Sequence, residues 1–150
     1  MRILLINPGG AEALGSEAGD HASSESGPYP PLGLMYLQAA VEEGGRHRVD
    51  LVDCNIPLAL ARTISQDRHD TAPGMVGVTA LTPNLPSVVA AVATVRDAYP
   101  SARVVIGGPH TELFAQETAE LQGVDWVLPG EAERTLPALA DMLDDGDAPD

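Results

Sequence analysis

Lysine is missing from this chain: its basic residues are 8 arginines, set against 22 aspartates and glutamates. That absence excludes Schiff-base chemistry and a phosphate-binding loop built on lysine. The acidic balance excludes most nucleic-acid and anionic-membrane partners, because such a surface repels a phosphate backbone. Cysteine occurs once, at Cys54, so neither an internal disulfide nor a multi-cysteine metal site is available. Asp53 precedes that thiol and disfavours its thiolate. Aromatic residues make up 3% of the 150 residues, which leaves Val, Leu, Ile and Ala to build the core. No apolar run approaches the roughly 20 residues of a membrane span. The opening run Ile3 to Ile6 is also too short for a secretory signal and reads as a strand, so the expected setting is cytoplasmic.

What is present is an alternation of short apolar runs and helical patterns. Ile3–Ile6, Arg48–Asp53, Met75–Thr79, Arg103–Ile106 and Val124–Leu128 read as strands. The first is apolar on both faces, as central parallel strands are. Helical spacing follows from Pro30-Pro31 through Leu32, Leu34, Met35, Leu37, Ala40 and Val41, ending at Gly44-Gly45. Further helices are expected over Ile56–Ile64, from Pro83 to before Pro100 with Leu85, Val88, Val89, Val92 and Val95 inward, from His110 or Thr111 through Ala119, and over Glu131–Leu143. Right-handed crossovers then give an α/β fold with a doubly wound, five-stranded parallel sheet. Residues 1–143 read as the domain. Residues 144–150, acidic with Gly and Pro, read as a linker.

Ligands of such sheets bind beyond the carboxyl ends of the strands. The residues there carry binding chemistry rather than acid–base chemistry. Gly107 and Gly108 lack Cβ atoms, so a bulky group can lie against the backbone, and Pro109-His110 follow them at a helix start. Thr79 and Thr82 offer hydroxyls, although helix capping by Thr82 or Asn84 explains part of that pattern. Gly77 within its strand implies a close neighbour. Asn7-Pro8 ends the first strand before a long polar loop, 9–31, which contains Asp20-His21. Gly130 permits close approach, and Glu131 and Glu133 suit either a helix dipole or a ligand amide. No Ser-His-Asp set is evident, so no catalytic residue is assigned. The set describes a site for a large, mostly uncharged ligand.

The segments Pro30-Pro31-Leu32-Gly33-Leu34-Met35-Tyr36-Leu37-Gln38-Ala39-Ala40, Val76-Gly77-Val78-Thr79, Val105-Ile106-Gly107-Gly108-Pro109-His110 and Val127-Leu128-Pro129-Gly130-Glu131-Ala132-Glu133, in this order, resemble the amino-terminal cobalamin-binding domain of radical S-adenosylmethionine enzymes. The likeness spans Arg2 to about Leu143. It implies a Rossmann-like, flavodoxin-like fold with the corrinoid on the carboxyl edge of the sheet and its dimethylbenzimidazole tail buried beside the strands, the base-off state. By that resemblance Gly107 and Gly108 line the tail's cavity and Thr79 lies near the benzimidazole. Leu81 is the apolar residue two positions on, while Thr82, Gly130 and Glu131 border the corrin or its amides, and Asn7, Pro8, Pro109 and His110 complete the cofactor-binding set. Two departures matter. The cobalt-ligating Asp-x-His-x-x-Gly is replaced by Asn7-Pro8-Gly9-Gly10, and Asp20-His21 has the wrong spacing, so no protein metal ligand is expected. The lower face of the cobalt is then water or empty, which suits methyl transfer. Cys-x-x-x-Cys-x-x-Cys is also absent, so S-adenosylmethionine and a [4Fe-4S] cluster belong to a separate radical S-adenosylmethionine domain, in cis or in trans, and the chain is not expected to catalyse alone.

Two other readings share the architecture. A dinucleotide-binding domain needs Gly-x-Gly-x-x-Gly after the first strand, which is lacking, although Asp53 stands where a ribose-binding acid would. An interaction domain without a ligand needs nothing further. A phosphoacceptor domain needs paired acids and a lysine, and neither is found.

Overall fold

The computed structural model describes residues 1–9, 30–56, 58–67, 72–147 and 149. Five strands, β1 (Arg2–Asn7), β2 (Arg48–Asp53), β3 (Met75–Thr79), β4 (Arg103–Gly107) and β5 (Trp126–Leu128), alternate with helices α1 (Leu32–Glu43), α2 (Ala59–Gln66), α3 (Leu85–Ala98), α4 (Pro109–Leu113), α5 (Ala115–Ala119) and α6 (Thr135–Asp144). All strand pairs are parallel, in the order β2-β1-β3-β4-β5. The chain leaves β1 outward to β2 and returns past it to β3, so the order reverses at β1 and β3, where such sheets open a crevice.

Side chains alternate across the sheet, and the core divides accordingly. Leu4, Ile6, Val76, Val78, Val104 and Ile106 point to the face covered by α3, where Val88, Val92 and Val95 meet them. Leu60 and Ile64 of α2 pack against the same cluster. Ile3, Leu5, Val49, Met75 and Val105 point to the other face, against Leu34 and Val41 of α1 and Leu136, Leu139 and Ala140 of α6. Because both faces are covered, the strands have to be apolar throughout, which is why Ile3 to Ile6 is at most 1% exposed.

Several boundaries differ from the sequence reading. The last helix begins at Thr135, not Glu131, and runs to Asp144. Pro137 explains the start: it is tolerated in a first turn but would break a helix begun four residues earlier. Residues 129–134 are thereby released as a loop at the carboxyl edge. The third helix begins at Leu85 after a 3-10 turn at Thr82–Asn84, and the Asn84 Oδ1 accepts the Leu81 N–H at 2.8 Å. Val89 points outward, 45% exposed, because it sits one residue round the helix from the inward Val88. The helix after β4 is divided at Phe114, whose ring stacks on His110 with centroids 4.9 Å apart. The second helix occupies Ala59–Gln66 rather than 56–64. Among the described residues no helix is long and apolar enough to cross a membrane.

Asp125 fastens β5 to the sheet. It accepts the Val104 amide at 2.7 Å, pairs with Arg103 at 3.1 Å and also binds Arg96. Burial opposes its charge, but the Val104 amide and then the two guanidinium groups prevail and hold its carboxyl below the ordinary range. A depressed carboxylate stabilises the fold above its unfolded pKa, and that contribution disappears as pH falls through the folded value. Asp125→Asn is therefore expected to cost about 1–3 kcal/mol near neutral pH, with the gap to the parent closing below the ordinary carboxylate range. Urea melts at a series of pH values check both parts.

Candidate functional site

On the face covered by α1 and α6, the core stops short of the strand ends and leaves a cleft of about 410 Å³. Its wall on the sheet side is two rows of registered residues. In the outer row Thr79 lies opposite Gly107, with Leu128 beyond, and Asn7 ends β1. One step inward, Leu5, Gly77 and Val105 are paired across β1, β3 and β4. Leu34 and Leu37 of α1 and Leu136 of α6 close the opposite wall.

The glycines here have different reasons to be glycine. A Cβ on Gly107 would sit 3.4 Å from the Leu128 carbonyl, an ordinary contact, so packing does not require the bare position and its side-chain space belongs to the cleft. A Cβ on Gly33, in the first turn of α1, would meet nothing within 4 Å. Gly33 lines the cleft, so its missing side chain leaves that part of the wall open. Gly77 is bare because Leu5 leans across it: a Cβ there would lie 2.7 Å from the Leu5 Cδ2. Gly108 touches the cleft, yet packing against β3 is what requires its missing side chain. Its φ is +99°, and a Cβ would fall 2.8 Å from the Thr79 Oγ1 and 2.9 Å from the Ala80 carbonyl. Around that turn the Ala80 N–H donates to the Gly107 carbonyl and the His110 N–H to the Ala80 carbonyl, which stitches the end of β3 to the start of α4.

Polar groups are few. The half-buried Thr79 lines the cleft, and its hydroxyl makes no hydrogen bond with another described residue. Asn7 is committed, its Nδ2 donating to the Asp53 Oδ1 at 2.9 Å. That same oxygen accepts the Asn55 N–H at 3.1 Å, so Asp53 serves the ends of β1 and β2 and lies outside the cleft lining. The charged lining residues are Glu112, Glu131 and Glu133, all carboxylates at the mouth. A ligand rich in phosphate finds no cation among them.

Of the residues singled out from the sequence, Asn7, Thr79, Leu81, Gly107, Gly108, Pro109, Gly130 and Glu131 line this cleft. Pro8, Thr82 and His110 do not. Pro8 is buried behind Asn7. His110 is buried too, 3.0 Å from the Thr82 Oγ1 through its Nδ1, and joins the starts of α3 and α4 outside the cleft. Asp20 and His21 lie outside the described residues. Of the inner row, sequence reasoning singled out Gly77 alone, and it missed Leu5, Val105 and the helical wall. Leu5 and Val105 looked like plain core, and only the register shows that they floor a cleft. The signal available was their spacing, two residues upstream of Asn7 and Gly107 on the same face.

Cys54 packs on the α3 face of the sheet, and burial, with Asp53 alongside, pushes its thiol up. Among the described residues no group of three or more His, Cys, Asp or Glu could hold a metal ion. Among the described residues the cleft offers an apolar slot with the Thr79 hydroxyl at its edge, fit for a flat, mostly hydrocarbon group.

A family model described as the B12 binding domain matches residues 22–140. Two curated relatives both bear the name anaerobic magnesium-protoporphyrin IX monomethyl ester cyclase. That of Rubrivivax gelatinosus is 28% identical over 156 aligned positions, covering 97% of this chain and 25% of that protein. That of Cereibacter sphaeroides is 27% identical, covering 93% of this chain and 22% of that protein. The chain thus spans about a quarter of the length of these relatives. Among solved structures, the response regulator RcsB of Salmonella typhimurium aligns over 100% of this chain and 62% of its own, with a TM-score of 0.56 at 10% identity, a likeness of fold alone. With the family model covering most of its length, the chain belongs to the B12 binding domain family.

Proposed function

We propose that this domain binds cobalamin base-off, with the benzimidazole nucleotide tail in the cleft and the corrin across the carboxyl edge of the sheet. The observation that carries the reading is the bare position of Gly107 opposite the Thr79 hydroxyl, which makes no hydrogen bond with another described residue. The residues fit the group. At about 410 Å³ the cleft is at the lower end of small-molecule pockets, sized for a tail and not for a macrocycle, which then rests outside. Thr79 donates to the tail's free ring nitrogen, and Leu34, Leu37 and Leu136 cover its hydrocarbon faces. Glu131, Gly130 and Leu81 stand at the mouth, where the carboxylate accepts from corrin amides. Asn7-Pro8-Gly9-Gly10 stands where classical cobalamin domains carry Asp-x-His-x-x-Gly, and the Asn7 amide is tied to Asp53; no protein ligand to cobalt is assigned.

Bound cobalamin supplies a cobalt centre that carries a methyl group or exchanges electrons. This chain contributes binding, orientation and shielding. Catalysis falls to a radical S-adenosylmethionine domain, in cis or in trans, which brings its own S-adenosylmethionine and [4Fe-4S] cluster. The length of the curated relatives leaves room for such a domain, and the resemblance of the four segments supports it. Methyl transfer is the reaction we favour for the assembly, in a cytoplasmic setting without nucleic acid or membrane. The name cyclase carried by the relatives describes those proteins.

Hydroxocobalamin added to the domain and dialysed should be retained, with the visible bands moved to their base-off positions. Loss of the corrinoid on dialysis would refute the reading. Thr79→Val should keep the fold and weaken retention about tenfold, the equivalent of one lost hydrogen bond, as measured by equilibrium dialysis.

A further inference from the structure

Resting on that reading of the cleft, we infer that it selects among corrinoids by their lower base, accepting a benzimidazole and rejecting a purine such as adenine. The two registered rows set the selectivity. The outer row brings two hydrogen-bonding side chains to the cleft: Asn7, whose amide is tied to Asp53, and Thr79, whose hydroxyl makes no hydrogen bond with another described residue. Behind it the inner row is Leu5, Gly77 and Val105, with Leu5 1% and Val105 2% exposed. The facing wall at that depth is Leu34 and Leu136, 5% and 3% exposed. The strand amides and carbonyls beside this row are spent on the parallel ladders. A group passing the outer row therefore meets hydrocarbon on both sides.

A benzimidazole suits that profile. One ring nitrogen takes the Thr79 hydroxyl, and the fused carbocycle needs no partner. Adenine attached in the same way has the same first nitrogen, but places two further ring nitrogens and an exocyclic amine against the inner row. In water those groups are hydrogen-bonded. In the cleft the nearest acceptor beside Gly107, the Leu128 carbonyl, stands in the outer row, away from the inner row that these groups would face. Buried polar groups left unpaired weaken binding about ten- to a hundredfold.

The test measures dissociation constants for three corrinoids by equilibrium dialysis: cobalamin, the cobamide with adenine as lower base, and cobinamide, which lacks a tail. Cobalamin should bind most tightly, the adenine form about ten- to a hundredfold more weakly. Equal affinity for the two tailed corrinoids, with cobinamide weaker, would overturn the selection while leaving the tail in the cleft. Cobalamin binding no better than cobinamide would overturn the cleft reading itself. Val105→Thr, checked for folding by circular dichroism, puts a hydroxyl on the inner row and should narrow the gap between the two bases. An unchanged ratio in the folded variant would show that this row does not discriminate.

Discussion

Replacing Gly107 with leucine should leave the domain folded and weaken cobalamin binding about a hundredfold, on the scale of overpacking a filled site. Three observations make this substitution clean. The backbone of Gly107 lies outside the left-handed region, and the residue ends a strand, where a side chain costs nothing in conformation. A Cβ there makes an ordinary 3.4 Å contact with the Leu128 carbonyl. Its alternation partner Val105 points to the α1 and α6 face, so the new side chain enters the cleft. Thermal melting within a few degrees of the parent, together with lost retention of hydroxocobalamin, is the expected pair of results. A folded variant that binds as the parent does would place the tail elsewhere.

The neighbouring glycine should behave in the opposite way. Gly108→Ala is expected to damage the fold first. At a φ of +99° any side chain is strained, at about 1–2 kcal/mol. The new Cβ would also press on the Ala80 carbonyl, and backbone cannot swing aside as a side-chain tip can; such overpacking adds about 1–3 kcal/mol. Together these come to about 2–5 kcal/mol, against a total stability of about 5–15 kcal/mol for a domain. For a chain of this size that corresponds to a fall of roughly 5–20 °C in Tm. A Gly108→Ala protein that melts with the parent would show that the turn between β4 and α4 relaxes freely. Results of this kind would separate a binding role for one glycine from a structural role for its neighbour.

Much of the architecture could be read before any coordinates. Continuous apolar runs such as Ile3–Ile6 can be buried on both faces only in a covered parallel sheet, and the helical patterns between them leave few topologies. The outer row of the cleft was legible too, because glycine and threonine just after apolar runs stand out. The rest required register. Leu5 and Val105 have the chemistry of core residues, and nothing in a linear pattern shows that they also line a cleft. Thr82 and His110 lie outside the cleft lining: a hydroxyl and an imidazole at strand ends fit a ligand as well as each other, and here they meet at 3.0 Å. Glu131 and Glu133 mimicked the acidic first turn of a helix, and Pro137 was the stronger sign of where α6 begins. Gly108 looked like its neighbour until its positive φ and the close Ala80 backbone distinguished them.

The position of the tail is open to direct measurement. With leucine methyl groups isotopically labelled, spectra can be compared for the domain alone, with saturating cobalamin, and with cobinamide. An aromatic base held between the sheet and the two helices should shift the methyl resonances of Leu5, Leu37 and Leu136 by its ring current, and cobinamide should leave them near their free positions. Methyls of these three residues that stay in place while cobalamin is bound would contradict the account.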